Sequence, residues 1–270
     1  NVFAIPVPGT FDDAQRVVKD CFGDTAFAGE VNLSAVNSIN IARILAQCVY
    51  YIWAVLRLPE KDRANCEFVV PTGNFGNVLA GWLAQRMGLP CGTFRVATNQ
   101  NDILHHFFTT GEYRQGEVHP SHAPSMDIQA ASNFERFLYF VLGENSERVR
   151  EVMAQIKSGS PVKIDLPATT FRASRMDDDT IVKATAQMWK DWHYVLDPHT
   201  ACGFTDMAQD RVSIVLSTAS PAKFPDVVQQ ATGSEPTHPT LEALKAKEMQ
   251  RWPMDATTDA VKAFIREKKH

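Results

Sequence analysis

The stretch Pro71-Thr72-Gly73-Asn74-Phe75-Gly76-Asn77 is where residue types and spacing point most directly to chemistry. It lies between a continuous apolar run, Phe68-Val69-Val70, and a segment from Val78 to Met87 whose apolar residues recur at helical spacing. It therefore reads as the turn from a buried strand into a helix. Gly73 and Gly76 let the backbone turn at little steric cost. The first amides of the helix have no partner inside it and stand at the positive end of its dipole, which makes a site for a phosphate dianion. The plain alternative is a strand-to-helix turn that binds nothing. The spacing is wrong for the dinucleotide fingerprint, and the nucleotide-triphosphate loop needs a Lys-Ser/Thr pair where Asn77-Val78 stand. An anion held here belongs to a different kind of ligand.

Two other groups of polar residues border predicted elements. Asn37, Ser38, Asn40 and Arg43 lie at the start of a long helix, where its dipole and a guanidinium can grip a second phosphate. The structural alternative makes Ser38 the cap and Arg43 a surface charge. Ser217-Thr218-Ala219 follows a buried strand, and the Thr218 hydroxyl either meets a ligand or caps a helix opening near Pro221. His105, His106, His119 and His122 show no metal-ligand spacing with Cys or carboxylates, so no metal is expected. No Gly-x-Ser-x-Gly elbow occurs, which leaves serine hydrolysis without support.

The elements that must position these residues follow from periodicity. Val2 to Val7 reads as a strand, Pro8-Gly9 as a turn and Asp12 to Phe22 as a helix. The strand has no leader or cap before it, as expected of a chain that begins inside a domain. The long helix carries Ile41, Ile44, Leu45, Cys48, Val49, Ile52, Trp53 and Leu56, with Ile41, Ile44 and Leu45 expected to face the core. Gly88 and Pro90 stop the helix after the glycine turn, and Thr93 to Ala97 is the next strand. The region from Gln100 to Met126 has no sustained period and reads as a long loop. Helices are expected over Phe134 to Leu142, Val149 to Ile156 and Thr180 to Trp189, a buried strand over Val212 to Leu216, and amphipathic segments over Leu241 to Met249 and Ala256 to Arg266. The pattern is α/β, with a mostly parallel, doubly wound sheet.

Composition limits the classes of function. The 270 residues are 44% hydrophobic, enough for a substantial core, and 31 acidic against 27 basic residues leave no basic stripe for nucleic acid or a membrane surface. Small molecules are the expected partners. Five widely spaced cysteines fit reduced core thiols in the cytoplasm, and no apolar run approaches the roughly 18 residues of a membrane helix.

VPTGNFGNVLAGWLAQRMGLP (70–90) closely resembles the cofactor-phosphate loop of threonine synthases, which belong to the fold-type-II pyridoxal-phosphate enzymes, related in fold to tryptophan synthase β. GTFDDAQRVVKDCF (9–22), NLSAVNSINIARILAQCVYY (32–51), FRVATNQNDIL (94–104), APSMDIQAASNFERFLY (123–139), LDPHTACGF (196–204) and VLSTASPAKF (215–224) resemble the same family in the same order. The resemblance implies conversion of O-phospho-L-homoserine and water to L-threonine and phosphate, with pyridoxal 5'-phosphate as cofactor. It implies that Gly73, Asn74, Phe75, Gly76 and Asn77 hold the cofactor phosphate through amides and side chains, and that Thr218 meets the pyridine nitrogen. Asn37, Ser38, Asn40 and Arg43 are the implied holders of the substrate phosphate. By the same analogy residues 1–37 are the tail of a smaller cofactor domain and 38–270 the larger domain. The family's cofactor-bearing lysine, in a Ser-Phe-Lys-Asp-like motif, is absent from these 270 residues, so the chain alone is expected to be inactive. A non-catalytic phosphate-binding homologue and a related lyase acting on another phosphorylated amino acid are the competing readings.

Overall fold

The computed structural model describes residues 2–9, 11–37, 40–166 and 170–269, with the side chains of 11 and 12 left aside. It divides into two compact units, 37–239 and a second made of 1–36 with 240–270.

The larger unit is built on a four-stranded sheet. In chain order its elements are α3 (Ile41–Arg57), α4 (Glu60–Arg63), β1 (Glu67–Pro71), α5 (Gly76–Arg86), β2 (Thr93–Thr98), α6 (Ile103–Thr110), β3 (Glu112–Tyr113), α7 (Phe134–Val141), α8 (Ser146–Lys157), β4 (Val162–Lys163), β5 (Phe171–Arg175), α9 (Asp178–Trp192), α10 (Pro198–Ala201), β6 (Ser213–Val215) and α11 (Pro225–Thr232), numbered after α1 and α2 of the other unit. The sheet runs β5-β2-β1-β6 with every neighbouring pair parallel, while β3 and β4 form a short antiparallel ribbon. Helical crossovers are what parallel pairing requires. β1 is buried at all five positions, as its unbroken apolar run predicts. The core gathers around Phe68, Val70, Phe94, Val96 and the helix residues Tyr51 and Leu79.

The smaller unit holds α1 (Phe11–Gly23), α2 (Thr25–Val31) and α13 (Thr258–Lys268), with α12 (Pro239–Lys245) at its border. Val17, Cys21 and Phe27 bury against Val261 and Ile265, and Lys262 pairs with Asp24 at 2.6 Å and Arg266 with Glu30 at 2.8 Å. These contacts draw residues 240–270 to the first 36, whereas the sequence reading joined them to the larger domain.

Three other expectations differ from the structure. Val2–Val7 is not a strand: Trp252 N–H donates to Ala4 O and Met254 N–H to Pro6 O, but Pro6 has no N–H with which to return a ladder bond. The region 100–126 is not one loop, because α6 and β3 occupy part of it. On α3 the buried residues are Ile44, Cys48, Tyr51 and Val55, while Ile41 and Leu45 are 45% and 53% exposed. Only the narrow stripe that meets α5 is covered, so of the three residues expected to face the core, Ile41, Ile44 and Leu45, only Ile44 does.

The α3 to α5 approach is close because Gly81 allows it: a Cβ there would lie 2.3 Å from Tyr51 Cε1 and 2.6 Å from Phe94 Cε1. Both rings are fully buried and have nowhere to move. Gly81→Ala gains about 1 kcal/mol of helix propensity, but overpacking of this severity costs about 1–3 kcal/mol. A net loss of stability, read as a lower denaturation midpoint, is the expected result.

Candidate cofactor and substrate site

β1 and β6 are adjacent and parallel, with Val69 opposite Val215, so the turns that follow them leave the same edge of the sheet. Leu216 N–H still donates to Val69 O at 3.0 Å, and Thr72 N–H to Ala97 O at 2.8 Å, which carries the ladders up to the turns themselves. The carboxyl ends of parallel strands are where open α/β sheets form ligand crevices. Here a cavity of about 130 Å³ is lined by Pro71, Gly73, Asn74, Ser125, Met126, His199, Thr218 and Ala219. A single water needs roughly a tenth of that room. Thr218 also lines a neighbouring cleft of about 830 Å³, together with Arg43, Tyr50, Trp53, Asn77 and Ser217.

The glycine turn is open toward its surroundings as an anion site requires. Among the described residues no hydrogen bond is donated by the amides of Gly73, Asn74, Phe75, Gly76 or Asn77, and the first helical donor is Leu79 N–H, to Phe75 O at 3.1 Å. No side chain caps α5. Phe75 takes the left-handed conformation at φ 63°, a backbone cost of about 1–3 kcal/mol for a non-glycine residue. Its ring offsets this by burial among Phe108, Phe134 and Phe137, with centroids 5.6, 6.1 and 5.3 Å away. Gly73 has no substitute: a Cβ would stand 2.6 Å from the Ser125 carbonyl oxygen.

The side chains in this turn do different work from that read in the sequence. Asn74 Oδ1 accepts from Ser132 N–H at 3.4 Å and its carbonyl from Asn133 N–H at 3.1 Å. Asn77 accepts from the Tyr51 hydroxyl at both its carbonyl and Oδ1, 2.8 Å each. Burial pushes the Tyr51 phenol well above its ordinary pKa, so it stays a donor. The interior thus occupies the side-chain acceptors of Asn74 and Asn77 and the ring of Phe75, and the turn amides are the groups left undonated among the described residues.

The second predicted cluster, Ser38 apart, lies at and just before the start of α3. Arg43 lines the large cleft with Asn77 and Thr218. Asn40 is the N-cap of α3, its Oδ1 accepting from Ala42 N–H at 2.9 Å, so its side chain serves the helix start. Asn37 is exposed and its carbonyl accepts from Asn40 N–H at 3.2 Å. Ser38 lies outside the described residues. Among the described residues no group of His, Cys, Asp and Glu could hold a metal ion, and no helix is long and apolar enough to cross a membrane.

Thr218 is not a helix cap. Its N–H donates to Thr200 Oγ1 at 3.0 Å, and the two hydroxyl oxygens are 3.4 Å apart. Sequence reasoning gave no role to the segment behind it, Asp197-Pro198-His199-Thr200. Asp197 is 1% exposed and caps α10, accepting from His199 N–H at 2.9 Å, Thr200 N–H at 3.2 Å, His199 Nδ1 at 3.1 Å and the Thr200 hydroxyl. Ser125 N–H donates to His199 Nε2 at 3.1 Å, which fixes the neutral tautomer with its proton on Nδ1. Asp followed by Pro at the first helical position was the available signal, since that pair marks a helix start.

Burial raises the Asp197 pKa, but hydrogen bonds from His199 and Thr200 outweigh it and hold the carboxyl below its ordinary value. A depressed folded-state pKa gives stability that is present above the unfolded value, about 3.9, and is lost as pH falls through the folded one. Asp197→Asn should therefore be less stable than the parent by about 1–3 kcal/mol near neutral pH. That deficit should shrink below about pH 4, measured by denaturant unfolding across pH.

Comparison with known proteins agrees with this geometry. Residues 200–265 match the family described as threonine synthase, C-terminal. Threonine synthase of Pseudomonas aeruginosa is 41% identical over 250 residues, covering 88% of this chain and 53% of that protein. The solved structure of PLP-bound threonine synthase from Brucella melitensis has a TM-score of 0.89 and 38% identity, covering 100% of this chain and 60% of that one. Threonine synthase from yeast gives 0.84 and 34%, over 99% and 59%. The chain spans between half and two thirds of the length of these relatives. With sequence likeness along nearly its whole length, carried on the same fold, the chain belongs to the threonine synthase family.

Proposed function

We propose that this chain provides the cofactor-phosphate cup and the ring-nitrogen partner of a threonine synthase, which converts O-phospho-L-homoserine and water to L-threonine and phosphate. The observation that carries the reading is that the undonated amides of the Gly73 turn and the Thr218 hydroxyl belong to elements lining one cavity. The donor set suits pyridoxal 5'-phosphate: amides at a helix start for a dianion, and a neutral hydroxyl for a ring nitrogen. When bound, that cofactor supplies an electron sink for carbanions at the substrate's α- and β-carbons.

The chain's own residues then bind and orient. The amides of Gly73 to Asn77 hold the cofactor phosphate at the positive end of α5, and Thr218 holds the ring in register. Arg43, in the adjoining cleft, offers a guanidinium for the substrate's γ-phosphate as it leaves. Asn37, Ser38 and Asn40 stand beside it in sequence and complete the proposed phosphate grip. Buried, uncharged surroundings of Phe75 limit water behind the turn. All five cysteines are free and buried, which fits a reducing compartment, and the cytoplasm is the proposed location.

No Ser-Phe-Lys-Asp-like segment occurs in these residues, so the chain by itself should release no phosphate from O-phospho-L-homoserine. It should still bind pyridoxal 5'-phosphate saturably in equilibrium dialysis, with inorganic phosphate competing. Gly73→Asp puts a carboxylate against the Ser125 carbonyl and the anion cup, and should weaken this binding at least about tenfold, as loss of a charge-assisted hydrogen bond does. Undiminished, phosphate-competed binding by that variant would refute the cup.

A further inference from the structure

A threonine hydroxyl carries one proton and turns freely, so a directional contact with a ring nitrogen needs the residue to be held from behind. Thr218 is held by Thr200. Its N–H donates to Thr200 Oγ1 at 3.0 Å, a full hydrogen bond, whereas the hydroxyl oxygens at 3.4 Å lie beyond ordinary O–H···O length. The main chain is anchored and the hydroxyl is placed but not spent.

Proton accounting fixes the direction of this arrangement. Thr200 gives its only hydroxyl proton to Asp197 Oδ2, so toward Thr218 it can act solely as an acceptor. Asp197 is itself immobilised through Oδ1, which accepts from two backbone amides of α10 and from His199 Nδ1. A charged acceptor makes the Thr200 oxygen a better acceptor in turn, because hydrogen bonds in a chain polarise one another. Gly203 lets the end of α10 lie close on the sheet, since a Cβ there would be 2.7 Å from Val215 Cγ1. Thr200 and Asp197 are both buried, and neither lines the cavity or the cleft. Any effect they have on a ligand passes through residues that do.

We propose that Asp197 and Thr200 are positioning residues, which lock the Thr218 backbone and aim its hydroxyl so that the cavity distinguishes a ring with an in-plane nitrogen from one without. This rests on the reading of Thr218 as the ring-nitrogen partner. Two ligands separate the roles: 4-deoxypyridoxine 5'-phosphate, which has ring and phosphate but no aldehyde to couple with lysines, and its deaza analogue with C–H in place of the ring nitrogen.

Calorimetric titration of the folded chain should give the nitrogen ligand an advantage of about five- to tenfold, the worth of one hydrogen bond. Thr218→Val should erase that ratio; a ratio that survives it, or is already near one in the parent, refutes the Thr218 reading itself. Thr200→Val should also bring the ratio to within about twofold of one, Thr200→Ser should restore it, and Thr200→Val should add nothing in the Thr218→Val background. If Thr200→Val weakens both ligands equally and leaves the ratio intact, Thr200 is merely structural and the positioning role is overturned. Should that variant fail to fold, hydrogen exchange in the parent decides: a Thr218 amide exchanging as fast as an exposed loop amide contradicts the lock, and strong protection supports it.

Discussion

The parallel ladder between β1 and β6 is the constraint on which the site depends. Only three register pairs join the two strands, Glu67 to Ser213 through Val69 to Val215, yet they deliver both following turns to one edge of the sheet. In an antiparallel pair those turns would leave from opposite ends. Glu67, wholly buried at the start of β1, reinforces the ladder: it accepts from the Ser213 hydroxyl on β6 at 3.2 Å and from Arg172 on β5 at 3.0 Å. Arg95, also wholly buried, lies 3.6 Å from the same carboxylate and donates to the carbonyls of Gly203 and Thr205 beyond α10. One ionic cluster, buried except at the half-exposed Arg172, therefore spans all four strands and reaches the segment behind Thr218. A lone buried charge would be costly, and shared partners are what make this one tolerable.

Close approach between segments shapes the structure around the cavity. Gly73 lets the turn touch the Ser125 carbonyl, Gly76 admits Ile44 Cδ1 to within 3.1 Å of where a Cβ would be, and Gly203 accommodates Val215. Each removes a side chain where two segments meet, and at Gly73 this leaves backbone on the cavity wall. Backbone amides need no rotamer freezing before they bind, which suits a site meant to hold a fixed anion. Phe75 is the counterpart: its strained backbone keeps the next amides pointed outward, and its ring, locked in an aromatic cluster, supplies the burial that sustains the strain.

Much of this was legible in the residues themselves. An apolar strand, a glycine turn and a helix are distinguished by periodicity alone, and β1, α5, β2 and β6 fall within a few residues of expectation. What periodicity cannot say is which side of an apolar helix is covered. Ile41, Ile44 and Leu45 of α3 read as core, whereas Ile44 is buried together with Cys48, Tyr51 and Val55 and the other two are exposed, because covering depends on a partner rather than on the helix. β5 escaped notice because Arg172, Ser174 and Arg175 break any apolar run, and its pairing to β2 rests on backbone bonds. Asp197 and His199 escaped for another reason: a capping aspartate and a histidine beside a proline look local, and only the fold brings Ser125 to His199 and Thr218 to the neighbouring Thr200.

The charge of Asp197 matters to the proposed phosphate site, since a carboxylate near a dianion ought to repel it. Its two oxygens accept four hydrogen bonds, two of them from the backbone amides that open α10, and it stands 1% exposed behind Thr200 and His199. Donors so arranged spread the negative charge into the protein interior and away from the cavity. His199 presents Nε2 to Ser125 as an acceptor and is neutral in this arrangement, so it adds no cation to the cavity wall. The field inside is then governed by the free amides of the Gly73 turn. The carboxylate supplies geometry, the helix start would supply attraction, and separating those two tasks allows the proposed anion cup and a buried anion to coexist in the larger unit.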